Sequence, residues 1–435
     1  MIVFPNTPPA PLALDCPAFT PHLLALRATI DHTPPSNHAE SVRYVTKLHD
    51  YLEAVFEYLA SSTGSKEPAV WAELALLVAL TSIPPWTNVK PATKSAGRGS
   101  KGVKGIWTLA DEIIVSLVVA SFMYTRLGAE LTNELIESAT VDGLDLKWRG
   151  VSAHYKSALG LCLFAAQFRA VVQQPSVCPQ VFVVLDQACN VGIQMLLLCK
   201  SLWLNRVSFS RRDSFESNNN GMLCRVAIWV LDEIHSCHNV ASDLLASTRD
   251  STDWNLCYDN WDSYLMVLEK YASAYAALFL SIDYYQKKML GHALGLVNFG
   301  LLVLQSKSAV AQKTSKAHLV SRIRYRLAEK RNERYILSLQ STTSLKVDNS
   351  VFRDLSGVIL NDLNYVFDLL VLLRVKLKKE NDNINFDTVV DWQDVHNDSK
   401  WPLGCKIPVS AVPDYVPRAL VDLRGLDLSS LRQYF

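Results

Sequence analysis

Lys376-Leu377-Lys378-Lys379-Glu380-Asn381-Asp382-Asn383-Ile384-Asn385-Phe386-Asp387-Thr388-Val389-Val390-Asp391 is the stretch whose reading decides the fold. Before it, Phe352, Leu355, Ile359, Leu363, Val366, Leu370, Leu373 and Leu377 recur at helical spacing and form one apolar stripe over residues 350–379. Lys376, Lys378 and Lys379 stand at the carbonyl end of that helix, where its dipole favours cations. After it, Pro402, Pro408, Pro413 and Pro417 remove backbone donors and fix φ, which forbids further helix. The pattern predicts a long helix, a polar Asn/Asp break and an ordered extended exit.

Composition agrees with a helical body. The 435 residues are 49% hydrophobic and 20% charged, which implies a large buried core and excludes wholesale disorder. A net charge of +1 gives no global attraction to nucleic acid or membranes, so either role needs a local patch. The nine cysteines contain no CxxC pair and lie mostly in apolar helical runs. They read as buried free thiols in a reducing compartment. Met1–Pro5 lacks the basic and apolar regions of a signal peptide, and the C-terminus lacks a prenylation box. Asp186 and Lys200 interrupt 181–204, and Asp111 and Glu112 precede 113–124, so no uninterrupted membrane span is expected. The expectation is a cytoplasmic, soluble protein.

Along the chain, residues 1–21 are Pro-rich and read as extended. Asn37 and Glu40 form a capping box for a helix that stops near Thr63-Gly64. Residues 68–83 are apolar until Pro84-Pro85, and 84–105 read as a loop of Lys, Ser and Gly. Further helices are expected at about 106–138, 145–174, 181–206, 221–247, 260–287, 289–306, 315–340 and 350–379. Strand candidates are confined to 1–4 and short runs near Trp86 and Ile407. The pair at 260–306 resembles a tetratricopeptide unit, with Tyr271, Tyr275 and Phe279 on one helix and Gly291, Ala293 and Gly295 allowing close packing of the next. No strict 34-residue period accompanies it. The predicted fold class is all-α, a solenoid-like array of helical hairpins.

The exit carries a family resemblance. Asn381-Asp382-x-Ile384-Asn385-x-x-x-Val389, followed by Pro402-Leu403-Gly404, Pro408, Val412-Pro413 and Val416-Pro417, resembles the C-terminal signature of BRO1 domains. Gly105-Ile106-Trp107 with Glu112-Ile113-Ile114, His154-Tyr155-Lys156-Ser157-Ala158, Gln187-Ala188 and Leu290–Gly295 resemble earlier segments in the same order. Within that family the chain is most similar to fungal PalC-type pH-response regulators. The resemblance implies a curved, boomerang-like BRO1 domain over residues 21–418, with an extended segment at 1–20, a tail at 419–435, a tetratricopeptide-like core and at most a few short strands. It implies a non-enzymatic adaptor without cofactor, catalytic residue or metal. Its partner would be the C-terminal amphipathic helix of the ESCRT-III core filament subunit. The further associations it implies are a pH-signalling membrane receptor or arrestin-like complex, an anionic membrane surface, and peripheral recruitment to endosomal or plasma membrane. Asn385 stands where some ALIX-like relatives carry tyrosine, so tyrosine phosphorylation does not carry over.

By this resemblance, Asp145 and Arg149 are the acidic and basic positions beside the binding groove. Their i,i+4 spacing also fits a helix-surface ion pair. Met195, Leu198 and Lys200 would line one groove wall, and Val226 and Val230 the next. Plain core is the alternative for the apolar four, and aligning on Gln187-Ala188 shifts the wall by several residues. Arg322, Arg326, Lys330 and Arg334 repeat every four residues, giving either a membrane-facing basic patch or a solvated helix face. Nucleic acid is not expected, because the cluster has no aromatic interleaving beyond Tyr325.

Other motifs carry less. Gly97-Arg98-Gly99-Ser100-Lys101-Gly102 matches GxGxxG but follows no strand and reads as a cationic loop. His235-Ser236-Cys237-His238 lacks zinc-site spacing. No HExxH or GxSxG motif occurs. The alternative function is a tetratricopeptide-like peptide adaptor with its groove in 260–306.

Overall fold

Thr20 and Asn37 open the first two helices by hydrogen-bonding the free amides of their first turns. Thr20 Oγ1 accepts from Leu23 N at 3.3 Å, starting α1 (Pro21–Thr29). Asn37 Oδ1 accepts from Glu40 N at 3.0 Å, starting α2 (His38–Thr63). Glu40 reaches back to Ser36, not Asn37, taking its N–H and hydroxyl at 2.7 Å each. Gly64 ends α2 with φ 64°, as the Thr-Gly signal predicts.

This computed structural model describes residues 9–33, 35–87, 89–91, 106–137, 144–172, 179–206, 218–247, 254–255, 261–304, 330, 334, 336, 357–391, 394 and 401–421. After α2 come α3 (Pro68–Leu77), β1 (Ala79–Thr81), β2 (Lys90–Pro91) and β3 (Trp107–Thr108). The long helices α4 (Leu109–Glu137), α5 (Leu144–Val172), α6 (Pro179–Leu204) and α7 (Asn220–Ser247) follow. Then come β4 (Trp254–Asn255), α8 (Trp261–Gln286), α9 (Leu290–Val303) and α10 (Gly357–Glu380). From α4 to α9, each helix packs chiefly on its sequence neighbour, and α10 closes on α9, α4 and α8. The all-α class holds. Of the strand candidates, 1–4 lies outside the described residues, Trp86 makes a single bridge to Pro11, and Ile407 is in no strand; the described strands pair β1 antiparallel with β3 and β2 with β4. The 315–340 helix falls outside the described residues except at 330, 334 and 336.

The expectation about membrane spans needs correction. Leu109–Glu137, Pro179–Leu204 and Tyr264–Gln286 are each long and apolar enough to cross a membrane by length and composition. The charges at Asp186 and Lys200 do not break α6. Most of each apolar window is buried against other helices, so in this fold the apolar surface forms core.

At the start of α4 that core holds one fully buried carboxylate, Glu112. Arg27 Nε donates to it at 2.7 Å, Trp86 Nε1 at 2.9 Å, Trp107 Nε1 at 3.0 Å and Tyr51 O–H at 3.3 Å. A buried charge requires this saturation of its lone pairs. It ties α1, α2, the segment at Trp86 and β3 to one point.

The predicted exit is the second organising feature. On α10, Leu363, Val366, Leu370, Leu373 and Leu377 are buried, as their stripe requires. The helix ends in a widened π-type turn, Asn381–Asn385, and Phe386 takes φ 55°. Asn381 is buried and clamps the next extended residue at both ends. Its Nδ2 donates to Asp387 O at 2.9 Å, and its Oδ1 accepts from Asp387 N at 3.0 Å. Asp387 Oδ2 then accepts from Leu290 N and Gly291 N at 3.0 and 3.3 Å, capping α9 from outside its own chain segment. A Cβ on Gly291 would stand 2.2 Å from Thr388 O, and one on Gly295 2.5 Å from Val390 O. These glycines admit the exit strand as well as a helix.

Residues 401–421 continue as an extended strap across α9, α7, α6, α5 and α2. Trp401 packs edge-on against Phe299 with ring centroids 5.7 Å apart. Cys405 N donates to Arg225 O, and Gln194 takes both the N–H and the carbonyl of Ile407. Glu53 of α2 accepts from Tyr415 O–H at 3.1 Å and Arg418 N at 2.7 Å.

Asn381→Ala removes both ends of a buried clamp and is expected to destabilise by about 2–4 kcal/mol. Gly291→Val forces a side chain into the strap backbone, with an expected cost of at least ~1–3 kcal/mol. Urea denaturation measures both, and hydrogen exchange should show faster opening of 387–390 before the rest.

His49 lies under the far end of the strap, with Tyr124 and Tyr415 ring centroids at 5.7 and 6.1 Å. Its Nε2 has no hydrogen-bond partner among the described residues. Burial, and then the charge of Arg418, lowers its pKa to about 4. An unfolded histidine titrates near ~6.5, so stability is fully present above that pH and is lost as pH falls toward 4. The shift corresponds to about 3 kcal/mol. In His49→Phe, the drop in urea midpoint between pH 7.5 and 4 is expected to shrink accordingly.

Candidate partner-binding site

α5 and α6 form an antiparallel hairpin, so the first turn of α5 meets the last turn of α6. Lys200 Nζ donates to Asp145 Oδ1 at 2.9 Å across that junction. Below it, Trp148 and Trp203 pack edge to face at 5.9 Å, and the Arg206 guanidinium lies 3.6 Å above the Trp203 ring. The hydrogen bond and charge of Lys200 hold the Asp145 carboxyl below its ordinary pKa, with a smaller contribution from Arg149. The structure therefore joins Asp145 to Lys200 and leaves Arg149 exposed on the next turn of α5. The expected i,i+4 pair between Asp145 and Arg149 is not the bond formed.

The apolar half of the predicted groove is corrected. Met195, Leu198, Val226 and Val230 are 0–1% exposed and belong to the α6–α7 core. They present no apolar strip to a partner. The physical reason is rotational: at 3.6 residues per turn, one or two positions along a helix reach a different face. The solvent-side stripe of α6 runs instead through Asn190, Leu197, Lys200, Ser201 and Leu204. Leu204 is 52% exposed, Met222 at the start of α7 is 44% exposed, and Leu146 beside Asp145 is 76% exposed. Sequence reasoning missed these three and Leu197. For Leu197 and Leu204 the signal that could have found them is their spacing from Lys200, whose charge must reach water; for Leu146 and Met222 no such spacing exists.

Around these apolar groups the charge is mostly positive. Lys147, Arg149, Lys200 and Arg206 stand against Asp145 in the described first two turns of α5, the last two turns of α6 and the two residues after it. The surface combines exposed leucine and methionine with a cationic rim, which suits the apolar face of an amphipathic helix with acidic flanks.

Elsewhere, Lys330 and Arg334 are exposed, while Arg322 and Arg326 lie outside the described residues. His235 Nε2 faces Glu269 of α8 at 3.2 Å. The 260–306 hairpin forms as α8 and α9, but α9 is buried nearly throughout, between α8, α10 and the extended exit, and leaves no open groove there among the described residues.

Lys200→Ala is expected to return the Asp145 carboxyl toward ordinary aspartate titration, read by NMR of its carboxyl carbon. An unchanged titration would mean that the 2.9 Å bridge does not govern Asp145 in solution.

Comparison with known proteins adds three findings. A family model described as "Family of unknown function (DUF5355)" matches residues 107–435. No curated protein matches the sequence. Among solved structures, the chain is similar to one described as "Structure basis for endosomal targeting by the Bro1 domain". That pair is 14% identical, covers 81% of this chain and 88% of the other, and has a TM-score of 0.42. It is also similar to ALIX in complex with the SIVmac239 PYKEVTEDL late domain, at 14% identity and a TM-score of 0.47, covering 92% of this chain and 46% of that one.

Proposed function

We propose a function from the premise that the chain belongs to the family of unknown function DUF5355: it is a non-enzymatic adaptor that binds an amphipathic helix along α6, between α5 and α7. The observation that carries this reading is the solvent-side stripe of α6, which ends in Leu204, with Met222 exposed at the start of α7 and Arg149, Lys200 and Arg206 on the same ends of the helices. Leu204 and Met222 are exposed while Leu197 is half-buried against the core, and exposed apolar side chains ringed by like charges mark a recognition surface.

The partner is the C-terminal helix of the ESCRT-III core filament subunit. This identification rests on the resemblance of Asn381-Asp382-x-Ile384-Asn385 and the proline-bearing strap to the BRO1 exit signature. The structure lends that signature a physical function, since Asn381 clamps the turn and Asp387 caps α9. On the same resemblance the protein acts as a PalC-type regulator of ambient alkaline-pH signalling. It works from the cytoplasm and is recruited peripherally to endosomal or plasma membrane beside a receptor or arrestin-like complex. Lys330 and Arg334, with Arg322 and Arg326 in sequence, supply the face toward anionic lipid.

Titration calorimetry with the isolated partner helix tests the site. Leu204→Asp is expected to weaken binding by about tenfold or more, because a carboxylate must be desolvated in the contact. Arg149→Glu with Lys200→Glu is expected to weaken it by a similar factor, and more at low salt. Binding that ignores all three changes would place the partner elsewhere.

A further inference from the structure

We infer that the C-terminal strap is the end wall of this groove and limits the partner helix to about three turns. The inference rests on the binding surface proposed above and adds what sets the partner's length. The strap crosses the three groove helices at one level. Arg225 Nε donates to Leu403 O at 3.0 Å and Arg225 O accepts from Cys405 N at 3.0 Å, fixing the crossing of α7. On α6, Gln194 grips Ile407 by Oε1 to its N–H at 3.1 Å and by Nε2 to its carbonyl at 3.0 Å, much as a neighbouring β-strand would. Lys406 Nζ donates to Asn190 Oδ1 one turn away at 2.9 Å. On α5, Lys156 Nζ donates to Ser410 Oγ.

Nothing can pass beneath this crossing. A Cβ on Gly404 would lie 2.9 Å from the Trp229 backbone, and a Cβ on Gly160 would lie 2.4 Å from Pro413 O. The strap backbone rests directly on the helices. A packed helix has its axis about 8–10 Å from that of its neighbour, so the strap occupies the layer a partner helix must fill. A helix lying along α6 therefore stops at Gln194. From there to Leu204 is about 15 Å of helix rise, or roughly ten partner residues. Leu403, 83% exposed at the α7 end of the wall, offers an apolar contact where the partner ends.

The occupant is a short amphipathic helix carrying carboxylates. Lys147, Arg149, Lys200 and Arg206 outnumber Asp145 in the described turns along this stretch, so an acidic partner is favoured over a basic one.

Helix-stapled peptides with a leucine face and a glutamate face, 7, 11, 14 and 21 residues long, test the limit by calorimetry on the full chain. Stapling keeps helicity equal, since short free helices are marginal. Affinity is expected to rise from 7 to 11 residues and then stay level within about twofold. Hydrogen exchange of the Ile407 amide in the complex is expected to stay as slow as in the free protein. A further gain of more than about tenfold from 11 to 21 residues would overturn the end wall, and so would fast exchange at Ile407, which reports a displaced strap. Failure of every peptide to bind would instead overturn the binding surface itself, and the wall with it.

Discussion

One buried carboxamide directs the C-terminal third of this fold. Asn381 holds Asp387 by its N–H and its carbonyl, so the chain that leaves α10 can take only one direction. That direction carries it over Gly291 and Gly295, where any side chain would collide with backbone oxygen. The same turn delivers the Asp387 carboxylate to the open start of α9. Helix capping, close packing and the heading of the strap thus depend on a single clamp. Beyond it, the strap is pinned in turn by Arg225, Gln194 and Glu53, each on a different helix. A chain segment without regular structure so becomes a cross-brace on a stack whose helices otherwise pack mainly on their sequence neighbours.

The N-terminal part is organised by a different device. Glu112 has no access to water, and Arg27, Trp86, Trp107 and Tyr51 all donate to its carboxyl oxygens. Removing any one donor leaves a buried charge short of a partner, which costs more than the bond itself contributes. The rest of the interior is mostly apolar helical surface, and this explains why three helices have the composition of membrane spans. In a helical stack, inner helices have neighbours on most sides, so their sequence is apolar nearly all round.

That fact also explains which parts of the site were legible. The charged positions could be read, because Asp145, Arg149 and Lys200 must reach water wherever α5 and α6 lie. The apolar positions were harder to read. In 181–204 Asp186, Gln187, Asn190, Lys200 and Ser201 mark the uncovered stripe, but apolar residues stand on both sides of it, so a resemblance aligned one or two positions off selects core residues. Met195 and Leu198 point to the core, while Leu197 and Leu204 lie on the solvent side, only one to a few residues away. Tyr155 shows the same limit from the other side. Its motif is plain in sequence, yet its seat between Gly128 of α4 and Gly192 of α6 depends on residues distant in the chain.

The sequence by itself determined most of the described helices after α1, the Asn37 cap of α2 and the break at Asn381, because those depend on local hydrogen bonding and on side-chain spacing within a few turns. It determined the all-α class and the extended exit for the same reason. The tertiary structure alone decided that Asp145 bonds Lys200 in place of Arg149, that the exit strand lies on α9, and that the strap crosses α7, α6 and α5 at one level. Those outcomes depend on which surfaces meet. Helix periodicity fixes a face relative to its own axis, and only packing against neighbours fixes that axis in space.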